Sequence, residues 1–208
     1  MLPLTDSSIL VPLGDQIDPA LNRRAHALAA RLAAHPLAGV LETVPAYASL
    51  TVHYDPLIRT YAEVAEWIGE HLAAQTELTP RPTRAIEIPV TYDGPDLPFV
   101  AEHCRLSIPE VIRLHSTAEY TVYMMGFLPG FPYLGGLPAQ LRTPRRATPR
   151  TRVPAGAVAI AGAQAGIYPQ ESPGGWQLLG HTDLPLYDPR RSPPFLLSPG
   201  DQVRFIPT

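Results

Sequence analysis

A change of texture at Glu119 constrains the fold of this chain more than any other feature. Before it, apolar residues recur at helical spacing between short extended runs. After it, short β-type runs alternate with loops rich in Gly and Pro, as in an all-β barrel or sandwich. In the first part Asp18-Pro19 predicts a helix start, with Asp as N-cap and Pro at the first helical position. Leu21, Ala25, Leu28 and Leu32 then share one face, and His35-Pro36 ends the helix. Thr60 and Glu63 form a capping-box pattern ahead of an apolar stripe of Val64, Trp67, Ile68 and Leu72. Extended runs at 8–11, 40–44, 49–54 and 86–90 complete the order β-α-β-β-α-β, the ferredoxin-like split motif. The run at 86–90 either closes that motif or opens a second domain. A boundary is expected where Pro80 and Pro82 punctuate the chain, giving an α/β domain over 1–84 and a β domain over 85–208. Within the second, residues 95–115 hold two short helices, the latter announced by a capping box at Ser107 and Glu110.

Composition narrows the chemistry. The chain of 208 residues carries a net charge of −3, which gives no general attraction to nucleic acid or an anionic membrane. One cysteine, Cys104, rules out an internal disulfide. No signal-peptide pattern or membrane-length apolar run is visible, so a soluble cytoplasmic protein is expected. All 16 basic residues are Arg, and Lys is absent. A P-loop and a Schiff base both require Lys and are excluded from this chain. No CxxC, HExxH or GxSxG pattern occurs. No metal site is expected.

Three features of the second half point to a site. Phe127, Phe131 and Tyr133 lie in a stretch hinged by Gly126, Gly130, Gly135 and Gly136, and such aromatics either line a pocket or cap a barrel. Pro129-Gly130 suits a turn with Gly at its third position. From Tyr120 to Gln170 there is no acidic residue, while Arg142, Arg145, Arg146, Arg150 and Arg152 all fall there. Such segregation favours an anion, unless acids elsewhere in the fold pair with these side chains. Third, Ser172-Pro173-Gly174-Gly175 precedes Trp176, and its backbone N–H groups make either an anion nest or a plain turn. His115, at the end of the second short helix, is either a proton carrier or a structural partner of the helix terminus.

The same residues carry a family resemblance. Ile88-Pro89-Val90, His115-Ser116, Gly126–Leu137, Pro144-Arg145-Arg146, Pro149-Arg150, Val153-Pro154-Ala155-Gly156, Gln164, Gly166-Ile167-Tyr168-Pro169, Ser172–Trp176 and Pro199-Gly200-Asp201 follow one pattern in order. The chain is identified by it as similar to the family of 5-oxoprolinase B subunits. That family also holds the kinase inhibitor KipI and the so-called allophanate hydrolase subunit 1, and is described as carboxyltransferase subdomains C and D. The resemblance implies a cyclophilin-like β-barrel for residues 85–208. It implies a non-autonomous component that, with the C and A subunits of 5-oxoprolinase, opens 5-oxoproline to glutamate at the expense of ATP. The alternative it implies is a KipI-type inhibitor of a sensor histidine kinase. The site expected on chemistry and resemblance together has His115 as the catalytic residue. Phe127, Phe131 and Tyr133 form its wall, Arg145, Arg150 and Arg152 its charge, and Gln164, Tyr168 and Ser172 its polar contacts. Arg145 is preferred to Arg146, because adjacent side chains diverge. Three positions depart from the family pattern: Ala157 and Ala165 replace hydroxyl residues and His181 replaces an arginine.

Overall fold

The computed structural model describes residues 1–73 and 84–208, so Pro80 and Pro82 lie outside the described residues. The chain divides into two compact units, Met1–Pro80 and Arg81–Thr208. The first contains β1 (Leu2–Thr5), β2 (Ser8–Pro12), α1 (Pro19–Ala34), β3 (Val40–Pro45), β4 (Ser49–Tyr54) and α2 (Tyr61–Ala73). Local chemistry sets both helices. Asp18 caps α1 by accepting from the N–H groups of Ala20 and Leu21 at 2.7 and 3.0 Å. Glu63 reaches back to the Thr60 N–H at 2.8 Å to start α2. Ala25, Leu28 and Leu32 of α1, with Val64 and Ile68 of α2, are buried. The helices present these faces to alternate residues of the sheet, Ile9, Val11, Leu50 and Val52.

The sheet of this unit runs β1-β2-β4-β3 and is antiparallel. It is not closed by the 86–90 run, as the split motif requires. The N-terminal hairpin partner β1, with all four residues exposed, occupies the edge beside β2. β5 (Ala85–Val90) instead pairs in parallel with the last strand of the second unit along its whole length. Alternation alone could not choose between these partners, because a strand with one buried face fits either sheet.

The second unit opens with β5 and continues with α3 (Leu97–Cys104), α4 (Ile108–Thr117), β6 (Tyr120–Met125) and β7 (Pro132–Gly135). It ends with β8 (Arg150–Val153), β9 (Ala157–Ala161), β10 (Gln164–Ile167), β11 (Ser172–Gly174), β12 (Gln177–His181) and β13 (Gln202–Pro207). Seven strands form a mixed sheet ordered β12-β9-β10-β7-β6-β13-β5. Its two edges meet where Thr91 bridges His181 through a pair of 2.9 Å backbone hydrogen bonds. The sheet is thus nearly closed into a barrel, and the architecture of the chain is α+β. Residues from all seven strands, among them Ile88, Val122, Leu134, Ile160, Ile167, Leu179 and Phe205, build the interior core. Helices α3 and α4 pack on β12 and β13. Close backbone approach at the seam needs glycine. A Cβ on Gly180 would overlap the Thr91 carbonyl, and one on Gly94 would overlap the backbone of Leu178 and Leu179. The ribbon β8–β11 stands apart from this sheet.

Candidate functional site

The second face of the strands carries a separate cluster. Along β9, Val158 and Ile160 belong to the barrel interior, while Ala157, Ala159 and Ala161 point the other way, toward Phe131, Tyr168 and Trp176. Three alanines in alternation leave room for large rings. Gly166 on β10 does the same: a Cβ there would sit 3.0 Å from both the Phe131 and Trp176 rings. Phe131 meets Tyr168 and Trp176 edge-on at centroid distances of 5.2 and 5.6 Å, and Tyr133 packs on both Phe131 and Trp176. Phe127 adds an edge to Phe131 at 5.5 Å, yet stays 60% exposed and holds φ at +67°. A phenylalanine in the left-handed region is strained. It is held there by a tight loop in which the Gly126 N–H donates to the Phe131 carbonyl and the Phe131 N–H to that of Leu128. Gly130, at φ +85°, takes the expected place in the turn after Pro129.

Arg145 lies over this cluster, its guanidinium carbon 5.9 Å from the Trp176 ring centroid. Its charge reaches both Tyr133 and Tyr168. Burial is the larger influence on each phenol and pushes the pKa up, while Arg145 opposes it; at Tyr168 the Trp176 backbone N–H and Arg150 oppose it too. Both phenols therefore stay protonated. A Cβ on Gly174 would overlap the Tyr168 hydroxyl, so the glycine permits the ribbon β8–β11 to lie against that phenol.

The structure therefore clusters Phe127, Phe131, Tyr133, Arg145 and Tyr168, with Gln164 on the same side of β10 as Gly166, but Phe131, Tyr168 and Trp176 are buried and pack the cluster from within, so Phe127 and Arg145, with Tyr133 half-buried, are what it shows to a ligand. Ser172 is buried on β11, and its Oγ has no partner among the described residues. The remaining predicted residues are placed differently. Arg150 donates to Asp96 at 2.8 Å, and Arg152, largely exposed, pairs with Glu171 at 2.6 Å. His115 is fully buried among Tyr92, Tyr120 and Phe205, at the barrel interior and away from the aromatic face. Its Nδ1 lies 2.7 Å from the Tyr92 hydroxyl, its Nε2 has no partner among the described residues, and burial pushes its pKa down to about 3. A neutral, enclosed imidazole of this kind packs the core rather than carrying protons to a ligand. Gly174 and Gly175 both lack a positive φ, and Ser172–Gly174 is a strand, so the anion nest does not form. Of the three departures, Ala157 faces the aromatic cluster, Ala165 faces the barrel interior, and His181 pairs with Asp93 at 2.9 Å beside the seam.

The residue that sequence reasoning missed is Asp96. Its carboxylate is buried and accepts from Arg146, Arg150 and the Leu178 N–H. The one signal in the sequence was its place before Leu97-Pro98 at a helix start, which reads as an ordinary cap.

Comparison with known proteins supplies the family. The model of the carboxyltransferase domain, subdomain C and D, matches residues 1–197. A protein of Escherichia coli O157:H7 named as the B subunit of 5-oxoprolinase is 47% identical over 213 residues, covering 97% of this chain and 93% of that protein. One of the same name from Bacillus subtilis strain 168 is 43% identical over 217 residues, covering 98% and 90%. The crystal structure of TTHA0988 superposes with a TM-score of 0.85 at 45% identity; it matches 97% of this chain, which spans 40% of that longer one. With near-complete coverage in sequence and the fold in common, this chain belongs to the carboxyltransferase subdomain C and D family, alongside the proteins named as B subunits of 5-oxoprolinase.

Proposed function

We propose that this chain is the B subunit of an ATP-dependent 5-oxoprolinase, a hydrolase complex that opens 5-oxoproline to glutamate. The observation that carries the reading is identity of 43–47% over nearly the full length with relatives that bear that name. The aromatic–Arg145 face suits the substrate: a small lactam ring offers an apolar face, and its carboxylate matches a guanidinium fork. Arg145 holds the carboxylate beside the exposed Phe127 ring and the half-buried Tyr133 ring.

In this reading the lactam carbonyl oxygen takes the γ-phosphoryl group of ATP, releasing ADP. Water then breaks the activated C–N bond and phosphate leaves. The chain has no Lys, so its own residues hold no P-loop. The C subunit supplies the larger part of the nucleotide site, and the A subunit completes hydrolysis. Fusion of a chain like this one to further sequence in TTHA0988, of which it spans 40%, supports a covalent or non-covalent partner of that kind. The protein is inactive alone and works as a soluble cytoplasmic component. No helix among the described residues is long and apolar enough to cross a membrane.

The test is coexpression with the C subunit, then an assay of 5-oxoproline-dependent ATP hydrolysis by the purified pair. The reading expects turnover that requires both chains and the lactam. ATP hydrolysis indifferent to 5-oxoproline would overturn it.

A further inference from the structure

Asp96 stands at the N-cap of α3 but does not cap it. Its backbone is at φ −100°, ψ −1°, and its side chain makes no hydrogen bond to its own helix. An aspartate at this position ordinarily accepts from the first-turn N–H groups. Here the buried carboxylate turns away from them. Oδ2 accepts from the Leu178 N–H at 2.7 Å, and Oδ1 from Arg150 at 2.8 Å and Arg146 at 3.2 Å. Two arginines that flank the aromatic face in sequence are thus aimed at one internal carboxylate. Arg145, adjacent to Arg146 in sequence, goes the other way and lies over Trp176, with no carboxylate partner among the described residues.

We propose that Asp96 is a charge filter: a positioning residue that ties Arg146 and Arg150 into ion pairs, so that the surface beside Trp176 presents one unpaired guanidinium, that of Arg145, and takes a monocarboxylate in preference to a polyphosphate. The identity of the carboxylate as that of 5-oxoproline rests on the functional reading above; the selection by charge does not. A single planar guanidinium matches one carboxylate through two parallel hydrogen bonds. A triphosphate needs several converging donors, and the face offers neither Lys nor a glycine nest to replace the two arginines that Asp96 holds. The Asp96 carboxylate also cancels one positive charge near the face, and because Coulomb energy scales with ligand charge, that weakens attraction for polyanions more than for monoanions. The arrangement therefore assigns the nucleotide to the partner and the lactam carboxylate to this chain.

The probes are 5-oxoproline and tripolyphosphate, titrated into the full chain at low ionic strength, with thermal melting as the control for folding. Asp96→Asn keeps an acceptor for the Leu178 N–H and releases both arginines. It is expected to bind tripolyphosphate at least tenfold tighter than the wild-type chain, with a steep loss of that gain in added salt, and to bind 5-oxoproline more weakly. A folded Asp96→Asn that gains no tripolyphosphate affinity overturns the filter, as does a wild-type chain that already prefers tripolyphosphate to 5-oxoproline. If Asp96→Asn fails to fold, the exposed pair Arg145→Gln and Arg146→Gln decides. The filter requires at least a tenfold loss of 5-oxoproline affinity in the first and less than a twofold change in the second; equal losses overturn it. Wild-type chain silent to 5-oxoproline refutes the substrate reading, and the tripolyphosphate arm then judges the filter alone.

Discussion

Acid should destabilise the barrel through His115, and the size of the effect follows from its surroundings. The imidazole is fully buried, bonded to Tyr92 and stacked on Phe205 at 4.5 Å. The imidazolium carries an N–H on both nitrogens, and that on Nε2 finds no acceptor among the described residues; burial pushes the folded-state pKa from 6.5 down to about 3. The unfolded chain therefore binds a proton below pH 6.5 that the folded chain refuses until about pH 3. Stability from this group is complete above the unfolded value and lost as the pH falls through that window, at about 1.4 kcal/mol per pH unit. Between pH 7 and pH 5 the loss is about 2 kcal/mol, or roughly 4–8 °C in melting temperature for a chain of this size. Urea denaturation at pH 7, 6 and 5 measures it against the double variant Tyr92→Phe/His115→Phe. That variant removes both hydrogen-bonding partners together, a change that is close to neutral when shape is kept, and it has nothing left to protonate. The wild type should lose about 2 kcal/mol more than the variant across that interval. Parallel pH profiles would refute the burial argument and reopen a solvent-reaching role for His115.

Four further outcomes are expected. Gly166→Val should destabilise by about 1–3 kcal/mol through overpacking and alter the near-ultraviolet dichroism of Trp176, because a Cβ already lies 3.0 Å from two rings; an unchanged melt refutes the packing. His181, whose pKa is raised chiefly by its hydrogen bond to Asp93, stabilises the seam most fully below pH 6.5, and that contribution fades as the pH rises through its folded-state value; His181→Gln should flatten stability between pH 6 and 8. Ser107→Ala should cost about 1 kcal/mol by removing the hydroxyl's half of the capping box with Glu110, read by urea denaturation. The purified chain alone should turn over neither ATP nor 5-oxoproline, and robust turnover abolished by Arg145→Ala would contradict its dependence on a partner.

What the sequence determined by itself is local or patterned. Asp18, Thr60 and Ser107 announce three helix starts because a cap is read from residues two or three apart. Gly130 announces its turn because few residues tolerate φ near +85°. The short runs after Glu119 announce strands because alternation survives without knowing the partner. The ordered motifs from Gly126 to Trp176 carried the family for the same reason. Only the tertiary structure decided which sheet receives β5, since the choice depends on its pairing with β13, more than a hundred residues away in sequence. It also decided the fate of each arginine. Arg145, Arg146 and Arg150 look alike in the chain, and their segregation from acids is real along the sequence. Asp96 breaks it in space, taking two of them 50 and 54 residues on. A charge is defined by its neighbours in three dimensions, and folding brings to a cation the one carboxylate that sequence distance conceals.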